Sequence, residues 1–106
     1  MRSATIVVAL LGVVAAAGPG WAFECPARIG EARGAVQKAE AALDKAKAAA
    51  KASARGPLAK AKELLSHADA EHKGAGTDVK KHAEAVREAR TAQGYAEEAR
   101  IIAERS

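Results

Sequence analysis

A single cysteine, Cys25, leaves the chain unable to close a disulfide on itself. Large apolar side chains are also scarce. Beyond residue 22 they are Phe23, Ile29, Val36, Leu43, Leu58, Leu64, Leu65, Val79, Val86, Tyr95, Ile101 and Ile102. Alanine must fill the other inward positions, and each alanine buries little area, so the core is expected to be thin. Modest stability follows, open to reinforcement by a ligand or by self-association. Hydroxyl groups are few over the same stretch: Ser53, Ser66, Thr77, Thr91, Tyr95 and Ser106. None sits in a nucleophile motif, and there is no glycine-rich phosphate loop. A domain this small and this poor in apolar side chains hardly encloses a substrate pocket, so no enzyme is expected. Alternation of apolar and polar residues is absent too, which excludes a sheet.

The N-terminus, by contrast, carries an apolar run. Arg2 supplies one positive charge, Ile6 to Ala17 are apolar but for Gly12, and Gly18-Pro19-Gly20 ends the run. Gly20-Trp21-Ala22 sets small residues at the two positions a signal peptidase reads, so cleavage is expected between Ala22 and Phe23. The run falls short of the roughly 20 residues needed to span a bilayer, which argues against an uncleaved anchor. Cys25 lies near the cut, but Ala22-Phe23-Glu24 is no lipobox, since small residues must adjoin a lipidated cysteine. A soluble periplasmic protein is the expectation: a signal peptide over 1–22 and an alanine-rich helical domain over 23–106. In an oxidising compartment the lone Cys25 thiol is a candidate for an intermolecular disulfide.

The processed chain of 84 residues has a formal charge of +3, unevenly spread. Residues 24–62 carry +5 and residues 63–106 carry −2. Lys45, Lys47 and Lys51 could meet an anionic envelope surface. Export excludes nucleic acid as partner.

Ile29, Ala32, Val36, Ala39, Leu43, Ala46 and Ala50 recur every three or four residues, a seven-residue repeat of coiled-coil type. The spacing predicts a first helix over about 26–54, with Pro26 at its first position. Arg55-Gly56-Pro57 reads as a turn or kink. Leu58, Ala61, Leu65, Ala68 and His72 continue the apolar stripe in a second helix. Gly74-Ala75-Gly76-Thr77-Asp78 is the clearest turn, with Gly74 suited to a left-handed helix end and Thr77 to an N-cap. Val79, His82, Ala83, Val86 and Ala89 form the inward face of the next helix, and Gln93-Gly94-Tyr95 is a weaker break. The fold expected is all-α: a small up-and-down bundle of three or four antiparallel helices after a cleaved signal helix. Leu64-Leu65-Ser66-His67-Ala68 and Val79-Lys80-Lys81-His82-Ala83 form a near-repeat.

The three histidines, His67, His72 and His82, all lie around that turn. Residues at i and i+4 share a helix face, which pairs Asp78 with His82 and His67 with Glu71. Folding the hairpin about residues 75–76 brings His82 level with the stretch from His67 to His72. His67, His72, His82, Asp78 and Glu71 are therefore the candidate metal ligands, a nitrogen and oxygen set suited to Cu, Ni or Zn. One geometric conflict stands out: His67 and His72 are about 140° apart around a helix and cannot both point at one ion.

The stretch from Leu64 to Ala99 resembles the small periplasmic metal-binding protein family, short secreted histidine-rich four-helix bundles. Leu65-Ser66-His67-Ala68, Gly76-Thr77-Asp78-Val79-Lys80-Lys81-His82-Ala83-Glu84-Ala85-Val86 and Gly94-Tyr95-Ala96-Glu97-Glu98-Ala99 carry the likeness. Most of the family's histidine positions hold other residues here, as at Lys38, Lys60, Arg90 and Arg100. The resemblance implies one metal site around His67, His72 and His82. The expected function is binding or buffering of divalent transition metals in the periplasm. The alternative is a non-catalytic structural or interaction module of the cell envelope, since alanine-rich heptads also favour self-association.

Overall fold

A computed structural model describes residues 21–105. The signal peptide expected over residues 1–22 lies outside this range except for its last two positions. The described residues form three helices and no strand: α1 (Trp21–Lys45), α2 (Ala48–Ala75) and α3 (Val79–Glu104). No helix among them is long and apolar enough to cross a membrane. They run up, down and up, with α3 packed along both of the others and α1 and α2 meeting over a shorter stretch.

Of the expected heptad positions, Ile29, Ala32, Val36, Ala39, Leu43 and Ala50 are buried and Ala46 is half-buried. Val79, expected inward on the last helix, is instead 54% exposed, because it opens α3 at the turn, ahead of that helix's first buried residues, Ala85 and Val86. Val36, Ala39 and Leu43 of α1 meet Ala54, Leu58 and Ala61 of α2 and Ala96, Ala99 and Ala103 of α3. A middle layer joins Ile29 and Ala32 to Ala68, Ala89 and Ala92. At the far end Cys25 packs with Ala85 and Val86. Among the described residues, thirteen of the nineteen buried ones are alanine, so the helices approach closely but each contact removes little area from water.

The breaks fall elsewhere than the punctuation suggests. The first helix ends at Lys45, not near residue 54, and the chain reverses through Ala46 and Lys47. Lys47 is extended (φ −68°, ψ 157°) and caps α2 without a side-chain hydrogen bond. No turn-forming residue selects this point. Packing does: reversal here lets Ala50, Ala54, Leu58 and Ala61 fold back over Leu43, Ala39 and Val36. Gly56-Pro57 is neither a turn nor an end, because α2 runs through both. Pro57 cannot donate to the carbonyl of Ser53, but Ser53 is exposed, so the missing bond falls on the solvent side of α2. Gln93-Gly94-Tyr95 likewise lies inside an unbroken α3, so there is no fourth helix among the described residues. Pro26 is not at a first position either, since α1 opens five residues earlier.

The turn between α2 and α3 is where the glycines place it, one step further along. Gly76, not Gly74, takes the positive φ of 55°. Asp78, not Thr77, is the N-cap, and its Oδ1 accepts from the amides of Lys80 (3.0 Å) and Lys81 (3.3 Å). Asp78 carries a full negative charge, which the positive end of the α3 dipole favours over a neutral hydroxyl.

Candidate metal centre

The bundle end opposite the α1–α2 turn gathers one residue from each helix: Cys25 near the start of α1, His72 near the end of α2, and His82 in the first turn of α3. Each offers a ligand atom, and the three atoms lie within 4.8 Å of one another. Cys25 is fully buried, and the two histidines are half-buried. Its Sγ lies 3.4 Å from Nδ1 of His82, and its S–H donates to the His82 carbonyl at 3.1 Å.

The imidazole of His82 is oriented from behind. Its Nε2 lies 2.8 Å from the carbonyl oxygen of Gly76. A carbonyl only accepts, so Nε2 carries the hydrogen, and in the neutral ring Nδ1 presents its lone pair to the sulfur. A backbone carbonyl fixing the tautomer of a histidine in this way is the usual support behind a metal-ligating imidazole. The ring of His72 stands edge-on to that of His82, with centroids 5.4 Å apart and planes at 60°. Nδ1 of His72 is buried with no hydrogen-bond partner among the described residues. Burial pushes the Cys25 thiol above its ordinary pKa, and the neighbouring charge of Glu24 adds to the effect.

A tetrahedral ion with one sulfur and several nitrogen ligands sets its ligand atoms about 3.3–3.6 Å apart, from the usual Zn–S and Zn–N lengths. The Cys25–His82 separation already matches. A ring nitrogen of His72 lies within 4.8 Å of both partners, at a helix end where its side chain can rotate towards them.

The five candidate ligands do not form one site. His72 and His82 join Cys25. His67 and Glu71 join Glu88 of α3 on a different face. Asp78 is spent on capping α3. The division follows the angular conflict: five residues of helix separate His67 from His72, and each turns to a different neighbour. The hairpin register differs too. The turn is centred near residue 77 rather than 75–76, which sets His67 against Glu88 and His72 against His82. The near-repeat is not a repeat in surroundings, because His67 is exposed and His82 is half-buried.

Cys25 and Glu88 are the residues the sequence did not mark as ligands. Cys25 meets His82 across 57 positions, and no local spacing signals that. Its burial also leaves the sulfur unpresented to another chain in this fold, as an intermolecular disulfide would require. Of the lysines proposed to meet an anionic surface, Lys45 and Lys47 line a groove of about 510 Å³ with Lys38 and Arg100. It lies at the α1–α2 turn, away from Cys25, and Lys51 is not part of it.

Comparison with family models, with curated proteins and with solved structures returns no match.

Proposed function

We propose that this chain is an exported, non-catalytic protein that binds a transition-metal ion between its three helices, at Cys25, His72 and His82, and buffers that metal in the periplasm. The observation that carries the reading is the pairing of Cys25 Sγ with a His82 Nδ1 whose lone pair is fixed from behind by the Gly76 carbonyl. The unpartnered, buried Nδ1 of His72 beside it supports the same reading. A thiolate with two imidazoles is softer than the histidine and carboxylate set expected from spacing. It favours Zn(II) and Cu(I) over Ni(II). The chain's one methionine is Met1, so this set has no thioether of the kind that completes an electron-transfer copper site. The reading is non-catalytic on the sequence's own grounds: its few hydroxyls sit in no nucleophile motif and it has no glycine-rich phosphate loop.

Calorimetric titration of the purified protein with Zn(II) tests this, with Co(II) as a spectroscopic probe. Binding of Zn(II) at micromolar or tighter affinity and a thiolate-to-cobalt charge-transfer band are expected, with the band lost in Cys25→Ser. His72→Gln and His82→Gln should each weaken Zn(II) binding at this site by tenfold or more. No heat and no band overturns the reading. Export is tested by mass spectrometry of the envelope fraction: the chain should begin at Phe23, and an intact Met1 in the soluble fraction contradicts it.

A further inference from the structure

The geometry points to a second, harder divalent-cation site on the outer face of the α2–α3 hairpin, formed by His67, Glu71 and Glu88. His67 and Glu71 are one turn apart on α2 and share a face. Glu88 approaches from α3, and a ligand atom from each of the three lies within 4.8 Å of the others. His67 Nδ1 contacts Oε2 of Glu88. That contact uses half of the carboxylate. Oε1 of Glu88 is buried and has no hydrogen-bond partner among the described residues. The Glu88 side chain is 15% exposed, so this oxygen has lost most of its water without gaining a donor.

Glu71 makes no hydrogen bond or ion pair among the described residues. It lines, with His67, a small hollow of about 190 Å³ whose other walls are Ala70, Gly74 and Lys81. Glu71 and His67 face that hollow together with the ammonium of Lys81, which offsets one carboxylate charge, while Glu88 joins them from α3 outside its walls. The hollow has room for the waters that complete the coordination of such an ion. Oxygen-rich donors with one imidazole suit a borderline to hard divalent ion, Zn(II) or Ni(II), and disfavour Cu(I). The site shares no residue with Cys25, His72 and His82, so it stands or falls separately.

Zn(II) titration of four purified proteins decides it: the wild type, His67→Gln/Glu71→Gln, His72→Gln/His82→Gln, and the variant with all four changes. Two ions per wild-type chain, one in each double variant and none in the quadruple variant is the expected result. If the His67→Gln/Glu71→Gln variant binds as many ions as the wild type, with the same affinities, His67 and Glu88 are an ion pair only and the inference is overturned. A single wild-type equivalent lost in His72→Gln/His82→Gln overturns it as well. A single equivalent lost in His67→Gln/Glu71→Gln instead upholds this site and removes the thiol site. His67→Gln alone keeps the question answerable should a double variant fail to fold, because that side chain is 63% exposed. It should weaken binding here about tenfold with unchanged helicity by circular dichroism.

Discussion

Cys25 is the residue on which the chemistry of the inner site turns. A thiol must lose its proton to bind a metal, and burial first, then Glu24, makes that loss harder. Since the thiol pKa is raised, the proton competes with the metal throughout the neutral range. Affinity for Zn(II) should therefore fall as pH falls, and rise by about tenfold per pH unit towards the thiol pKa, where it levels off. Titrations in wild type at several pH values check the slope. Cys25→Ser should weaken binding and reduce the slope to the part that the imidazole ligands contribute. The companion residue is Gly76, whose carbonyl holds His82 and whose own φ of 55° few side chains tolerate. Little of this was legible in the sequence. Cys25 and His82 are recognisable as ligand types, but the contact joining them crosses most of the chain. Glu88 was hidden for a simpler reason. A hairpin folded two residues too early sets a different carboxylate opposite His67.

At the scale of elements, propensity and packing disagree at Pro57. A proline within a helix costs about 3 kcal/mol relative to alanine when the position is fully interior. Ala54 and Leu58 flank it, and both are buried against α1 and α3, so tertiary contacts keep α2 continuous through the position. Pro57→Ala should then stabilise the bundle by about 1–3 kcal/mol, read from urea unfolding midpoints. No change or a loss would mean that the half-buried proline ring itself packs productively. The opposite holds at Asp78, where local chemistry and the fold agree. Asp78→Ala removes two amide hydrogen bonds at the start of α3 and should cost about 0.5–2 kcal/mol by the same measurement. It should leave the metal stoichiometry unchanged, because Asp78 belongs to neither ligand set.

For the whole molecule, the thinness of the core decides how much a ligand matters. Among the described residues, six of the nineteen buried ones are larger than alanine, and one of those is Cys25 itself. Charges on neighbouring helices add surface pairs, Lys62 with Glu40 at 2.6 Å and Arg90 with Glu24 at 3.0 Å, but exposed pairs contribute little. An ion held by all three helices acts on the folded state only. At a free concentration one hundred times its dissociation constant it adds about 2.7 kcal/mol. For a domain of this size that raises the melting temperature by roughly 10–20 °C. Thermal melting in Zn(II) against melting in chelator measures it, and a shift below a few degrees would leave the inner site without an ion.

The sequence by itself determined the fold class, most of the inward faces of the helices and the place of the α2–α3 turn, with Val79 the exception. Each of these is local: three-and-four periodicity sets the buried face, and glycine with an N-capping acid sets the reversal. Only the tertiary structure decided where α1 ends, that Pro57 lies inside a helix, and that three histidines divide between two side-chain clusters. Those outcomes depend on which residues meet across helices far apart in the chain. A uniform run of alanines gives no local mark of where to break, and an angle of about 140° between His67 and His72 separates them without saying what each will meet. Packing supplied Cys25 for one set and Glu88 for the other.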